Sequence, residues 1–405
     1  MVLGSKKEQS NEDIPEYHFK PFHERYRWIT FTLTLGLMYP NPATERTRII
    51  VILTLLALSQ PIMFMILIDM YVCWAQRDMF NIIRHSTIVG PFLGAFFKMF
   101  VMFYKRVQAK ELIDEMNRDY ASYNTLPRRH QATAARSIQN SVFYTECLWS
   151  PLICIGIMMF PAVAVLSTLY SHIFDQIPRR YMIHDLKPPF REPEARFDSP
   201  YFEIQFIYML WSAVLCWFNY TSYDGLFGLV TNHACLKMSM NCLQLQDAFA
   251  AEDPDDVYSQ VMEFMNEQKR MFRFGELIQD TFNIWLGTIL ISTMIQIGSL
   301  LFHISAGYGF DLRYTLFSFC SVVHIFLPCK NASNLTSMST ETSTMIYCAG
   351  WEKTTSHRVL RLIPFMLARA QRPLQIQAFY MFQYNKELFI NIMRTSYSMF
   401  TLLRS

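Results

Sequence analysis

Seven stretches of this chain are apolar over a length that can cross a lipid bilayer, and that limits it to a bundle of membrane-spanning helices. A helix needs about 20 residues at 1.5 Å rise to cross about 30 Å of hydrocarbon. The runs are 49–70, 82–104, 142–170, 202–230, 281–304, 312–330 and 374–403. Backbone groups in lipid must be satisfied internally, so each run is expected to be helical. The last is interrupted by Gln383, Asn385, Lys386 and Glu387. It is expected to be split into a short cytoplasmic helical half, 374–382, and a membrane half, 388–403. Only 17 % of the 405 residues are charged, against about a quarter in soluble domains, which agrees with the membrane reading.

Charge sets the orientation. With the N-terminus in the cytosol, 25 of the 36 lysines and arginines fall on the inner side, eight on the outer side and three within spans. The positive-inside rule then puts the N-terminus inside and, after seven spans, the C-terminus outside. This is the reverse of a rhodopsin-type receptor. The Asp-Arg-Tyr and Asn-Pro-x-x-Tyr signatures of that class are also missing, so G-protein coupling fits poorly. The N-terminal MVLGSKKEQSNEDIPEYHF has no apolar core or cleavage site, and the first span is expected to act as its own insertion signal. Three regions follow: a cytosolic N-terminal segment, 1–48; a bundle of six spans with helical cytosolic extensions, 49–341; and a cytosolic anchor with the seventh span, 342–405. Loop 171–201 is proline-rich and reads as a folded outer lid.

Several function classes drop out. A net charge of +3 with no basic stretch interleaved with aromatics does not suit nucleic acid. HExxH, GxSxG, Walker A and GxGxxG motifs are absent, so no enzyme and no cofactor is expected. No metal motif is spaced in the sequence. The nine cysteines contain no CxxC pair and read as small hydrophobes. His303 and His324 read as satisfied core residues. Within the spans, Lys98 lies near enough to an inner end to snorkel, whereas Asp224 reads as an interhelical ion-pair partner or as lining for an aqueous path.

Two constellations point to function. The outer halves of the spans are rich in methionine and aromatics mixed with a few hydroxyls, a lining that shape-matches a small apolar ligand without demanding hydrogen bonds. Thr87, Ile88, Met159, Tyr208, Met209, Ser212, Met294 and Phe317 are the expected pocket residues. In the seventh span, steps of four, three and four put Asn391, Thr395, Ser398 and Leu402 on one stripe. A polar stripe ending in a bulky apolar residue is the order needed by a wet path that narrows to a dewetting gate. Arg394 is expected to point away from that path, since a cation there would oppose cation flow.

The C-terminal third carries a more specific signal. Arg372-Pro373-Leu374, the interrupted last span and the terminal Ser-Tyr-Ser-x-Phe-Thr-Leu-Leu resemble the ending of insect odorant receptors. Ile346-Tyr347 and Trp351 after the sixth span agree. No Gln-Phe follows Tyr397, which sets the chain apart from gustatory relatives, and the co-receptor Orco is longer and ends differently. The resemblance implies the odorant-tuning subunit of a ligand-gated non-selective cation channel in the plasma membrane of olfactory sensory neurons. It further implies a heterotetramer with Orco around one pore, an odorant pocket in each outer bundle, and a small hydrophobic volatile as ligand. A homomeric gustatory-type channel is the alternative. A secondary transporter is a third reading, and the chain lacks its paired discontinuous helices.

Overall fold

The computed structural model describes residues 17–186, 196–306 and 311–404, apart from the side chain of Ala306. Residues 1–16 and the centre of the expected outer lid, with Pro188, Pro189 and Pro193, lie outside the described residues. Two short helices, α1 (Phe22–Arg25) and α2 (Arg27–Leu35), precede the bundle. Then come α3 (Glu45–Ala75), α4 (Met79–Tyr104), α5 (Arg106–Tyr123), α6 (Arg128–Val142) and α7 (Ser150–Phe174), with a π-helical turn at Phe143–Trp149. The three longest are α8 (Tyr201–Ala248), α9 (Pro254–Ala306) and α10 (Leu312–Tyr347). Short helices α11 (His357–Leu360) and α12 (Ile363–Ala370) lead to a hairpin of β1 (Gln377–Ala378) and β2 (Phe382–Gln383), and α13 (Lys386–Arg404) closes the chain.

Among the described residues, six helical segments, those built on α3, α4, α6–α7, α8, α9 and α10, are long and apolar enough to cross a membrane. The seventh span is α13; its 19 residues include Lys386, Glu387, Arg394 and Arg404, so its apolar signal is weaker. The architecture is an all-α bundle of seven transmembrane helices. At 1.5 Å per residue, α8 and α9 are about 72 and 80 Å long, more than twice the hydrocarbon thickness. Their excess forms the extensions expected from the sequence. A second core gathers there: Leu245 and Phe249 of α8, Val257, Val261 and Phe264 of α9, Ile346 of α10, and Ile363 and Met366 of α12.

One local feature adds to the sequence reading and another differs from it. Within residues 17–48 the chain packs on the bundle. Phe22, Tyr26, Ile29 and Leu33 are fully buried against the bundle, and the Trp28 indole donates to Ser150 Oγ at 2.6 Å. The expected half-helix at 374–382 is instead the β1–β2 hairpin. Pro373 bars helical continuation, and Phe379 and Tyr380 have positive φ of 51° and 54°. Helix α9 holds the hairpin. Gln279 brackets Gln377, accepting from its N–H at 2.7 Å and donating to its carbonyl at 2.9 Å, and Asn283 Oδ1 accepts from the Tyr380 N–H at 3.1 Å. Gly287 of α9 makes room for Phe379, whose ring would sit 2.2 Å from any added Cβ.

Candidate functional site

Among the described residues, four membrane helices carry a proline in their interior: Pro61 in α3, Pro91 in α4, Pro161 in α7 and Pro328 in α10. Each lacks an N–H and leaves the carbonyl four residues earlier without its helical donor. Between these helices and the start of α8 lies a cavity of about 120 Å³. Its wall includes Ile62, Met63 and Ile66 of α3, Thr87, Ile88, Pro91 and Phe92 of α4, and Ile157, Phe160 and Pro161 of α7. Tyr208, Met209, Ser212 and Cys216 of α8 and Phe317 of α10 complete the wall, and Ile183 and His184 come from the outer loop. An apolar cavity of about 150 Å³ takes up benzene, so this volume fits a small volatile.

The polar atoms of the wall are mostly satisfied within their own helices. Thr87 Oγ1 donates to the Arg84 carbonyl at 2.7 Å, and Ser212 Oγ to the Tyr208 carbonyl at 2.9 Å. The Tyr208 hydroxyl is the exception: it is buried beside the side chains of Ser59 and Ser212 and makes no hydrogen bond of good geometry. A ligand oxygen would therefore find one donor ready in an apolar surround, the composition typical of small-molecule sites.

Of the eight pocket residues expected from sequence, the structure brings six to this wall: Thr87, Ile88, Tyr208, Met209, Ser212 and Phe317. Met159 and Met294 stand apart. On α7 the wall is formed by Ile157, Phe160 and Pro161, which share a helical face that Met159, one residue before Phe160, does not join. Met294 packs against the main core of the bundle. Ile183 and His184 went unnoticed in the sequence, because no periodicity marks a loop that folds back into a bundle.

Below the cavity a smaller void shares Pro91, Ile157 and Phe317 with it and reaches Tyr220, Gln296, Ser321 and His324. A buried charge cluster adjoins it. Lys98 Nζ of α4 sits 2.6 Å from Asp224 Oδ1 of α8, and His324 Nε2 of α10 lies 2.9 Å from Asp224 Oδ2. Lys98 is also 3.5 Å from the centroid of the Tyr220 ring, and Trp149 stacks on His324 with ring centroids 5.8 Å apart. Lys98 is 3 % exposed and does not snorkel; its reach to the inner surface is replaced by an ion pair inside the bundle. The sequence reading of Asp224 as an interhelical partner holds, and His324 is its second partner.

On α13, Ile392 and Ser396 face the bundle, with Leu388, Phe389 and Met393 packed against the core. Gly298 of α9 admits the close approach: a Cβ there would lie 3.2 Å from the Ser396 carbonyl oxygen. Asn391, Thr395, Ser398 and Leu402 are all exposed, as are Glu387 and Arg394. The Thr395 and Ser398 hydroxyls donate to the carbonyls of Asn391 and Arg394, at 2.9 and 3.1 Å.

A further charged group lies in the inner extensions. Lys237 of α8 donates to Glu115 at 2.7 Å and Asp119 at 3.0 Å, both on α5, and His233 Nε2 is 2.8 Å from Asp119 Oδ2. Burial alone would raise the Asp119 carboxyl, but His233 and Lys237 outweigh it and hold it below the usual carboxylate value. Burial likewise works against the charge on Lys237, and Asp119 with Glu115 reverses the effect and raises it.

Seven membrane helices, an apolar cavity at one end and long extensions at the other are the layout of a membrane receptor for a small molecule. The profile of the family described as 7tm Odorant receptor matches residues 78–397, and the chain belongs to that family. Membership places it among receptors, not enzymes. Odorant receptor 13a of Drosophila melanogaster is 21 % identical over 301 residues, covering 69 % of this chain and 70 % of that one. Odorant receptor 63a of the same organism is 24 % identical over 214 residues, 51 % of each chain. The solved structure of the insect olfactory receptor OR5 from Machilis hrabei in complex with eugenol has a similar fold. Its TM-score is 0.73 at 14 % identity, covering 94 % of this chain and 97 % of that one.

Proposed function

We propose that the chain is the odorant-binding subunit of a ligand-gated non-selective cation channel, assembled with the co-receptor Orco in the plasma membrane of olfactory sensory neurons. The observation that carries this reading is the apolar, proline-bordered cavity in a member of the odorant receptor family. Thr87, Ile88, Tyr208, Met209, Ser212 and Phe317 hold a small hydrophobic volatile there. Burial of its apolar surface at roughly 25 cal/mol per Å² supplies most of the affinity. Helix α13 lines the pore with Asn391, Thr395, Ser398 and Leu402, and Leu402 contributes to the gate. Two features support this role for α13: its buried face is narrow, and its hydroxyls, already bonded to their own helix, can face either water or a neighbouring subunit without loss. The exposed Arg394 then meets a neighbouring subunit rather than the conduction path.

The test is to express the chain with and without Orco and record current evoked by a panel of volatiles. Odour-evoked current only in the co-expressed pair supports the reading. Robust current from the chain alone favours the homomeric alternative, and silence in both with normal surface expression counts against a channel subunit.

A further inference from the structure

The outer ends of α3 and α4 bring three metal-binding side-chain types to one buried point. Asp69 and Cys73 are four residues apart near the end of α3, so they share a face, and His85 comes from the second turn of α4. One ligand atom from each lies within 4.8 Å of the other two. His85 Nε2 is 3.3 Å from Asp69 Oδ2, and Cys73 Sγ is 4.0 Å from Asp69 Oδ1. All three residues are buried, and His85 is 1 % exposed. Its Nε2 is aimed into the cluster and makes no hydrogen bond of good geometry. The opposite ring atom, Nδ1, lies 2.8 Å from Nε2 of His184, which descends from the outer loop.

We propose that Asp69, Cys73 and His85 bind a divalent transition metal of the zinc class, with His184 as the positioning residue behind His85. The donor set selects the ion. One thiolate, one imidazole and one carboxylate suit zinc and poorly suit magnesium or calcium, which take oxygen ligands. Bonds of about 2.0–2.3 Å in a tetrahedron put ligand atoms about 3.3–3.8 Å apart, so the observed cluster closes on an ion with shifts of about 1 Å or less. Charge agrees as well. A doubly positive ion with one carboxylate, one thiolate and a neutral imidazole sums to zero, the state that costs least at the end of a membrane span. Binding displaces the Cys73 thiol proton to solvent. It requires His85 to carry its proton on Nδ1, where that proton is donated to His184 Nε2, the second-partner arrangement usual for metal-bound histidine. The fourth position is open to water.

This site joins the roof of the odorant cavity, because His184 belongs to both. Metal binding pins the roof and slows odorant onset and washout. That consequence rests on the odorant-binding reading; the metal site does not.

The direct test uses the purified full-length chain loaded with zinc or with cobalt(II). Elemental analysis is expected to give one zinc per chain. Cobalt is expected to give a thiolate-to-metal absorption band and tetrahedral visible bands. In Cys73→Ser and in His85→Ala, zinc affinity falls at least tenfold and the thiolate band disappears from the first. His184→Ala weakens binding about 10- to 100-fold. Cys147→Ser and Cys348→Ser, which remove the exposed thiols, leave it unchanged. Monodisperse elution and an unaltered melting transition of the metal-free variants show that they fold. Equal zinc in wild type, Cys73→Ser and His85→Ala overturns the site, as does loss of zinc on removing the exposed thiols instead. Normal metal binding with odour responses indifferent to zinc retains the site and counts against the coupling to the cavity.

Discussion

Tyr208 shows how little polarity the cavity needs in order to be selective. Its buried hydroxyl lies beside Ser59 and Ser212 without a hydrogen bond of good geometry, and a net hydrogen bond contributes about 0.5–1.5 kcal/mol. In Tyr208→Phe, potency for volatiles carrying a carbonyl or hydroxyl is expected to fall about two- to tenfold, while potency for hydrocarbons stays level. Dose–response curves for matched pairs of the two ligand types check this; an equal shift for both would place Tyr208 in packing alone. The Lys98–Asp224 pair makes the opposite kind of prediction. Removing one partner leaves an uncompensated buried charge, at a cost of about 3–5 kcal/mol, whereas replacing both with apolar residues of similar volume is far milder. Lys98→Met is therefore expected to reduce surface expression sharply, and Lys98→Met with Asp224→Leu to recover much of it, as read by surface biotinylation. Failure of the double variant to exceed the single one would show that His324 or Tyr220 depends on Asp224 more than Lys98 does. These residues also mark the limit of sequence reading. Depth along a span can be counted from sequence, and Tyr208, Met209 and Phe317 do lie on the cavity wall. Helical phase relative to neighbours cannot, and the wall on α7 takes Phe160 and not Met159. Lys98 reads as able to snorkel because its partner Asp224 is 126 positions away in the chain.

At the scale of elements, α13 separates what apolar runs reveal from what they hide. Spans built on α3 to α10 announce themselves by length and apolarity, and their extensions by continued helical spacing. The last run does not, because Lys386, Glu387 and Arg394 dilute its signal, and because the aromatic stretch Phe379–Phe382 could be helix or strand until Gln279 and Asn283 of α9 fix it as a hairpin. The exposed stripe on α13 carries the pore reading. Replacing Leu402 with serine puts a hydroxyl where a dewetting constriction needs an apolar ring. Leu402→Ser is expected to raise resting current or change the relative permeability to cations in the channel co-expressed with Orco. Unaltered baseline and permeability ratios would remove Leu402 from the conduction path. The inner extensions make a stability prediction. Asp119 is held below its ordinary value, so its contribution is present above about pH 4 and is lost as pH falls through the depressed value. Lys237 is raised, so its contribution is present below about pH 10 and is lost as pH rises through the raised value. Between those limits Asp119 and Lys237 are both charged, and the cluster is sensitive to mutation. Lys237→Ala is expected to lower the melting temperature of the purified chain at neutral pH, and an unchanged melting curve would show the cluster to be solvated.

For the molecule as a whole, orientation in the membrane is the property on which pocket, pore and metal site all depend. Lysine and arginine are distributed 25 on the inner side against eight on the outer. The structure adds a separate argument from contacts between distant segments. The Phe19 and Phe22 N–H groups donate to Asn124 and Asn117 at 2.8 and 2.7 Å, and Tyr26 bonds Tyr120 at 2.9 Å. The N-terminal helices therefore share a side with α5, the segment after the second span, as an even number of crossings requires. The loop after α7 returns to the start of α4, where His184 meets His85 and Arg84 donates to the Asp185 carbonyl at 3.3 Å. That puts the cavity roof on the other side, with the first connection between spans. Helix α13 then runs from the hairpin at the inner extensions toward Arg404 on the roof side. A tag at the N-terminus is accordingly expected to stain only after permeabilisation, and a tag after Ser405 to stain in intact cells. A stained N-terminus in intact cells would invert the bundle, put the roof and its metal cluster in the cytosol, and close the route by which a volatile outside the cell could reach Tyr208.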